Sequence, residues 1–141
     1  MDNMIDTSLL ELEENKKNVL VVDDSNLMTN FIGKVLSNEY NVVKMHNGIE
    51  ALAILSTNAI NISALILDLN MPGINGMEVL EKMNEQGLLN KVPVLVLSGE
   101  EDPDAVTKVL SYPNVQLITK GVNGGAKDIK NALEVLMQNF N

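Results

Sequence analysis

Acidic, hydroxyl and amine side chains directly follow short apolar runs at four points of this sequence. They belong to Asp23, Asp24, Asp68, Ser98 and Lys120. Short continuous apolar runs bounded by turn residues are typical of strands that are buried on both faces of a parallel sheet. Because the carboxyl ends of such strands share one edge of the sheet, we expect these side chains to converge if their strands are neighbours.

Three carboxylates at one edge repel one another unless one of them keeps a proton or a cation neutralises them. The chain has no cysteine and a single histidine, His46, so a metal ion here must be held by oxygen ligands. Mg²⁺ matches best, because it takes a few carboxylates or carbonyls and keeps bound waters. A carboxylate beside Mg²⁺ and a lysine ammonium is equipped to attack a phosphoryl group, and the Ser98 hydroxyl can hydrogen-bond one of its oxygens. The residues therefore predict a phosphoryl-acceptor site, whereas His46 is expected at the surface or at a strand edge.

Five alternations of a strand-like run with a helical pattern position these side chains. The strand-like runs cover residues 19–22, 40–45, 64–67, 93–97 and 115–119. Helical patterns come after them at 27–36, 49–55, 76–86, 103–110 and 129–140. Strands and helices that alternate with short connections predict an α/β fold, in which a doubly wound parallel sheet carries helices on both faces.

The first helix is expected to begin after Ser25, whose hydroxyl suits an N-cap. Its predicted apolar stripe is Leu27, Phe31 and Val35, with Met28, Ile32 and Leu36 beside it. Gly33 lies inside this helix and costs about 1 kcal/mol relative to alanine, which close packing against a neighbouring element would explain. Further along, Asp102 and Pro103 suit the N-cap and first residue of the fourth helix, which is expected to bury Val109 and Leu110 among others.

Composition narrows the classes of function. The 141 residues carry a net charge of −9, and an acidic surface repels phosphate backbones, so we expect no direct binding of nucleic acid. No apolar run approaches the ~20 residues that cross a bilayer, and the start lacks a basic region before an apolar core, which argues against membrane insertion and secretion. A cytoplasmic protein is therefore expected.

The first 17 residues differ from the rest, since they carry five acids and two lysines. We expect residues 1–17 to form an acidic leader, in which the capping-box pattern at 8–11 allows a short helix. Residues 18–141 are expected to form a single α/β domain.

Four stretches resemble motifs of the receiver domain of two-component response regulators. They are VVDDS at 21–25, NGIEAL at 47–52, DLNMPGING at 68–76 and PVLVLSG at 93–99. The resemblance covers about residues 18–140 and is specific, because the motifs are ordered and depend on one another. It implies a fold like that of the chemotaxis regulators and flavodoxins, with five helices around a five-stranded parallel sheet of order 2-1-3-4-5.

The resemblance also implies a role for each site residue. Asp68 is expected to be the phosphorylated aspartate, Ser98 the switch hydroxyl, and Lys120 the lysine that pairs with the phosphoryl group. The implied ligands of Mg²⁺ are Asp23, Asp24, Asp68 and the backbone carbonyl of Asn70, with Asp24 a more direct ligand than Asp23. Such a domain catalyses only its own phosphorylation and dephosphorylation, and phosphorylation switches its affinity for a partner.

Partners are implied by the same resemblance. The phosphoryl group is expected to come from the histidine of a sensor kinase or of a histidine phosphotransfer protein, with the first helix as the docking surface. An output protein, which the sequence does not identify, is expected to recognise the phosphorylated form. The last two strand–helix units often form homodimers in this family, so a second copy of the chain is also among the partners that the resemblance implies.

Two departures from the family pattern leave an alternative. Gly121 stands where proline usually comes after the lysine, and Leu117 stands where an aromatic residue often lies. The chain can therefore be a constitutive interaction module of receiver fold with impaired switching. A phosphohydrolase is less favoured, because Asn70 rather than a second acid lies two residues after Asp68 and no substrate-binding insertion is present. A flavin protein is less favoured still, because the first strand is not succeeded by a phosphate-binding loop and the chain has no tryptophan.

Overall fold

A parallel five-stranded sheet runs through the computed structural model, which describes residues 12–71, 73–99, 102–120 and 125–140. The strands are β1 (Lys17–Val22), β2 (Tyr40–Met45), β3 (Ile62–Asp68), β4 (Val94–Ser98) and β5 (Val115–Thr119). They lie in the order β2-β1-β3-β4-β5, and each neighbouring pair is parallel. The predicted α/β fold with strand order 2-1-3-4-5 is therefore confirmed.

Helices cover both faces of this sheet. They are α1 (Asn26–Leu36), α2 (Gly48–Thr57), α3 (Gly76–Glu85), α4 (Pro103–Ser111) and α5 (Ala126–Asn139), with a short 3₁₀ turn at Leu88–Asn90. Successive side chains of a strand point to opposite faces, so β1 sends Leu20 and Val22 into a core with α2, α3 and α4. Its residues Val19 and Val21 enter a second core with α1 and α5. Burial on both faces explains why the strands are continuous apolar runs.

The buried stripe of α1 differs from the predicted one. Ile32 and Leu36 are fully buried, whereas Leu27 is 82% exposed and Phe31 is 38% exposed. The assignment of Leu27 and Phe31 to the inward stripe was therefore wrong, whereas Val35 is half-buried against the core with α5, as is Met28 of the row beside it. Two adjacent apolar rows fit the 3.6-residue period equally well, so hydropathy alone did not decide between them.

Two details of α1 agree with the sequence. The Ser25 hydroxyl accepts a hydrogen bond from the Met28 backbone N–H at 3.2 Å, which confirms the predicted N-cap. A Cβ added at Gly33 would lie 3.0 Å from Cε of Lys44, so the stem of this lysine lies close against the helix there. The glycine thus allows a neighbouring strand's side chain to approach α1, which is the close packing that the sequence suggested.

The later helices agree with the sequence in part, and the last of them begins at Ala126, three residues before the predicted pattern. Asn47 caps α2, because its side chain accepts a hydrogen bond from the Glu50 N–H at 2.9 Å. Asp102 caps α4 as predicted, with Pro103 in its first turn, but of the two residues expected inside only Val109 is buried and Leu110 is 54% exposed. The 3₁₀ turn was not predicted, since the sequence pattern indicates the end of the third helix at Gly87 but no element between that glycine and β4.

The predicted leader lies only partly within the described residues. The capping-box pattern at 8–11 lies outside them, and the description begins at Leu12. β1 begins at Lys17, one residue before the predicted domain boundary. No helix in the described part of the chain is both long enough and apolar enough to span a membrane.

Candidate functional site

The carboxyl ends of β1, β3 and β4 lie side by side and bring the predicted residues to one edge. Register pairs Val22 with Leu67 and Asp68 with Leu97, so Asp23, just past the end of β1, and Ser98, the last residue of β4, flank the end of β3. β5 lies next to β4, and the Lys120 backbone N–H donates to the Ser98 carbonyl at 2.8 Å. The sheet order therefore explains why residues far apart in sequence meet here.

An acidic cluster forms at this edge. Carboxylate oxygens of Asp23, Asp24 and Asp68 all lie within 4.8 Å of one another. Asp23 is 2% exposed and Asp68 is 4% exposed, while Asp24 is exposed to solvent. Two buried carboxylates and a third beside them repel one another, so the arrangement favours a bound cation.

Asp23 is the least satisfied member of the cluster. Its Oδ1 accepts a hydrogen bond from the Ser25 backbone N–H at 2.9 Å. Its Oδ2 is buried and has no hydrogen-bond partner among the described residues, although Lys120 Nζ lies 3.6 Å away. Burial raises the pKa of Asp23, and the neighbouring acids Asp68 and Asp24 add to this, against the lowering effects of Ser25 and Lys120.

Asp68 is held by two donors on one oxygen. Its Oδ1 accepts from the Asn70 backbone N–H at 3.1 Å and from Lys120 Nζ at 3.2 Å. The Lys120 side chain is about one-third exposed, so its ammonium bridges two buried carboxylates from the solvent side. An ammonium in this place offsets the negative charge of the cluster and remains able to meet an incoming anion.

The backbone after Asp68 is fixed by a close approach that the sequence did not reveal. A Cβ added at Gly76 would lie 2.3 Å from the Asp68 carbonyl oxygen and 2.7 Å from Cα of Leu69. The Gly76 N–H donates to the Leu69 carbonyl at 3.0 Å, which closes the loop onto the end of β3. A glycine in the first turn of α3 was the available signal, because glycine is a poor helix former and needs a reason there.

The remaining predicted residues lie where the topology requires. Ser98 is fully buried as the last residue of β4. The Asn70 N–H contacts Asp68, while the role of its carbonyl as a metal ligand stays a prediction. Leu117 is half-buried against the core that α2, α3 and α4 cover. Gly121 lies outside the described residues. His46 is exposed, as expected, with its Nε2 3.5 Å from the Thr29 hydroxyl.

The donor set fits a divalent cation. The three acids present one oxygen each within mutual reach, which matches the oxygen ligands that Mg²⁺ prefers. The buried Asp23 Oδ2 lacks the partner that a buried carboxylate normally has, and a cation would supply it. The sequence has no cysteine, so a thiolate cannot be among the ligands at this edge.

Comparison with known proteins assigns the class. Residues 19–134 match the response regulator receiver domain family, and the chain belongs to this family. It is therefore a receiver domain of two-component phosphorelay signalling, a signalling module rather than a classical enzyme, and the resemblance found in the sequence is confirmed. Receiver domains bind Mg²⁺ at an acidic pocket and interact with histidine kinases or phosphotransfer proteins.

Individual relatives come from plants and bacteria. The chain is 32% identical over 111 residues to the two-component response regulator ORR6 of rice, a match that covers 77% of this chain and 65% of the rice protein. It is 32% identical over 117 residues to ARR17 of Arabidopsis thaliana, with 75% and 76% covered. The crystal structure of TrrA from Thermotoga maritima in complex with Mg²⁺-BeF superposes with a TM-score of 0.70 at 25% identity, over 85% of this chain and 98% of that one.

Proposed function

We propose that this receiver domain accepts a phosphoryl group on Asp68 from a phosphohistidine donor in the cytoplasm, and that phosphorylation switches its affinity for an output protein. The observation that carries the proposal is the contact of Lys120 Nζ with Asp68 Oδ1 at 3.2 Å, beside a carboxylate oxygen of Asp23 that lacks a hydrogen-bond partner. The site thus combines a nucleophile, a cation-binding cluster and an ammonium within a few ångströms.

In the proposed reaction an Asp68 carboxylate oxygen attacks the phosphorus of the donor's phosphohistidine. The new P–O bond forms as the P–N bond breaks, and its electron pair stays on the imidazole nitrogen of the donor. Lys120 leaves its contact with the Asp68 carboxylate to donate to a phosphoryl oxygen, which keeps its charge paired through the step. Ser98 offers its hydroxyl to a second phosphoryl oxygen. Hydrolysis of the acyl phosphate at the same site reverses the modification, so the chain acts only on itself.

Asp23, Asp24, Asp68 and the Asn70 carbonyl would hold Mg²⁺, which would supply positive charge to offset the acids and to polarise the incoming phosphoryl group. Two observations support this assignment. The acids present one oxygen each within 4.8 Å of one another, and the T. maritima relative is described as a complex with Mg²⁺-BeF.

The outer face of α1 is proposed as the docking surface for the donor, a sensor kinase or a histidine phosphotransfer protein. Leu27 and Phe31 project from it and are 82% and 38% exposed. Leu27 and Phe31 lie one helical turn apart and therefore form a contiguous apolar patch, which is typical of protein contact sites. On α4 and α5, Leu110 and Val135 are each 54% exposed and make these helices the candidate face for an output protein or for a homodimer.

The acceptor role is tested with a small acyl phosphate, Mg²⁺ and intact-mass spectrometry. We expect the mass of one phosphoryl group to be added, and we expect its loss in Asp68→Asn and in the presence of a chelator. Asp128→Asn is the matched control, because Asp128 is exposed on α5 and outside the cluster. A phosphoryl mass that persists in Asp68→Asn would contradict the proposal, and steady turnover of a generic phosphate ester would favour a phosphohydrolase instead.

A further inference from the structure

β2 is an edge strand of the sheet, and its outer side is open. Among the described strands it pairs with β1 alone. On the side of β1, the Met45 carbonyl accepts the Asp23 N–H at 3.1 Å. Because successive residues of a strand direct their backbone polar groups to alternate sides, Val42 and Lys44 direct theirs outward, where no described strand pairs with them. Such a row of backbone groups can pair with one more strand.

One face of this edge carries positive charge. A cavity of about 490 Å³ lies between α1 and β2, and its lining includes Asn30, Lys34, Tyr40, Val42 and Lys44. Lys34 and Lys44 form no ion pair with a described carboxylate. Glu13, the acid in the lining, is paired with Lys16 at 2.7 Å. In a chain with a net charge of −9, two lysines without acidic partners favour the binding of an anionic group.

The Lys44 ammonium is held against α1 by neutral groups. Its Nζ donates to the side-chain oxygen of Asn30 at 3.2 Å. A Cβ added at Gly33 would lie 3.0 Å from Cε of Lys44 and 3.4 Å from its Nζ, so any larger residue would crowd the ammonium. Glycine inside a helix is destabilising relative to alanine. The helix therefore contains a poor helix former at the point where Lys44 packs, which indicates that the position of this charge matters.

The opposite face of the same edge is apolar. A second cavity, of about 420 Å³, lies between β2 and α2 and is lined by Lys44, Met45, His46, Glu50, Ala53 and Ile54. Met45 and Ile54 are half-buried against the core that α2, α3 and α4 cover. An apolar side chain suits this cavity, whereas Glu50 would repel an acidic one. Residues of the acidic cluster line neither cavity.

Side chains of an extended strand alternate between the two faces of a sheet. We propose that the outer edge of β2 binds an extended segment of a partner protein in which acidic and apolar residues alternate. The backbone of this segment bonds to the outward groups of Val42 and Lys44, and its acids pair with Lys34 and Lys44. Its apolar side chains enter the cavity at Met45 and Ile54. Backbone bonds supply affinity in this mode of recognition, and the alternating side chains supply specificity. Exposed ion pairs alone are weak, so a small anion between the lysines is disfavoured as the ligand.

Binding is tested by NMR with a synthetic peptide in which glutamate and valine alternate. We expect saturable shifts of the Lys34, Val42 and Lys44 amides, and none in β5, the other edge strand, which contains no lysine. At a peptide concentration nine times the measured Kd, hydrogen exchange at Val42 and Lys44 should slow about tenfold, because only the free tenth of the protein exchanges. Exchange at Val43, whose N–H is directed toward β1, should change much less. Absence of saturable binding, or equal shifts in β5, would overturn the proposal.

The alternating pattern and the nature of the occupant are tested separately. A peptide of the same composition, with its glutamates in one block and its valines in another, should bind about tenfold more weakly, because it cannot direct all its acids to one face. Equal affinities of the two peptides would overturn the extended geometry. Protection of Val42 and Lys44 that grows with protein concentration in the absence of peptide would identify a second copy of the chain as the occupant and would likewise overturn the proposal.

Charge variants test the face toward α1. Lys34→Glu together with Lys44→Glu is expected to weaken binding of the glutamate peptide about tenfold, because like charges then meet. A peptide in which lysine and valine alternate should bind this double variant but not the wild type. Lys82→Glu is the matched control, because Lys82 is an exposed lysine of α3. Equal affinities of the double variant and the control for the glutamate peptide would overturn the assignment of the lysines as the contact.

A variant of α2 tests the apolar face. Ala53 is exposed and lines the second cavity. We expect Ala53→Glu to weaken binding about tenfold, because it places a charge where the apolar side chains of the peptide enter. Ser56→Glu is the matched control, since Ser56 is exposed on the same helix and lies outside the lining. Equal affinities of these two variants would overturn the placement of the apolar side chains and, with it, the alternating pattern proposed for the partner.

Discussion

Two buried polar side chains lie at opposite ends of the β1–β2 pair and differ in how completely they are bonded. Asn41, near the amino end of β2, is 7% exposed, and its amide bonds to Glu13 and Asn18. Asp23, just past the carboxyl end of β1, is 2% exposed, yet its Oδ2 has no hydrogen-bond partner among the described residues. Buried polar groups normally have hydrogen-bond partners. The unpaired Asp23 Oδ2 therefore indicates that the carboxyl edge of the sheet is arranged to bind a ligand, at a cost in stability when the ligand is absent.

A substitution at Gly76, at the carboxyl edge of the sheet, is expected to have the largest effect on the free energy of unfolding. In Gly76→Ala the new Cβ meets the backbone of Asp68 and Leu69, and backbone cannot move aside as a flexible side chain does. We expect the free energy of unfolding to fall by about 3 kcal/mol, measured by urea denaturation. Gly99→Ala is the control on the same edge, since a Cβ there has no atom within 4 Å. Equal losses in the two variants would show that the close approach at Gly76 is not what matters.

Addition of Mg²⁺ should distinguish the two ends of the strands, because we expect it to bind at Asp23 and not at Asn41. A ligand that binds the folded state alone at a hundredfold excess over its Kd adds about 2.7 kcal/mol. We expect a gain of this size for the wild-type chain and a much smaller one for Asp23→Asn, measured by urea denaturation with and without Mg²⁺. Asn41→Ala should keep the full Mg²⁺ gain, since Asn41 lies at the other end of the strands. A Mg²⁺ gain that survives in Asp23→Asn would remove Asp23 from the cation site.

Asn41 tests the opposite end. Asn41→Ala leaves Glu13 and Asn18 without their partner in a largely buried place. We expect a loss of about 2 kcal/mol in the free energy of unfolding. Asn131→Ala, an exposed asparagine on α5, should change little and serves as the control. A loss no larger than that of the control would show that the amide bonds of Asn41 contribute nothing to the fold.

These two ends also show how far the sequence predicts the structure. The carboxyl edge was predictable because its residues come directly after apolar strands, and the carboxyl ends of parallel strands share one edge. The bonds of Asn41 were not, because they join residues 28 and 23 positions apart and depend on how the preceding segment turns back on β2.

The outward face of α1 was mispredicted for a similar reason. The rows that contain Leu27 and Ile32 are equally apolar, and the choice between them depends on the small residues Thr29 and Gly33, which face the neighbouring strands. Gly76 was recognised as part of a motif, but the contact that requires it, with the Asp68 carbonyl, exists only once the loop has closed. Local patterns therefore predicted the elements and the site, whereas long-range packing decided orientation.

Asp23→Asn is expected to have the smallest effect on the free energy of unfolding, and the direction of this effect follows from the pKa of Asp23. Burial raises the pKa of Asp23 in the folded state, while the pKa of the unfolded carboxyl stays near its ordinary value of 3.8. Between these two values the folded state binds more protons, so the contribution of Asp23 to stability is lost as the pH rises through the interval. At about pH 7 and without Mg²⁺ the ionised group is a net penalty, and Asn removes the charge while its oxygen can still accept from the Ser25 N–H.

We therefore expect Asp23→Asn to raise the free energy of unfolding by about 1 kcal/mol at neutral pH. The gain should shrink as the pH falls toward 3.8, where wild-type Asp23 becomes protonated. Acids outside the cluster titrate in both proteins, so the difference between the two urea midpoints reports on Asp23 together with its neighbours Asp68 and Asp24. If the variant were less stable than the wild type at neutral pH, the charge of Asp23 would be satisfied within the fold. The contrast with Asn41 would then lose its meaning, because both ends of the strands would be equally well bonded without a cation.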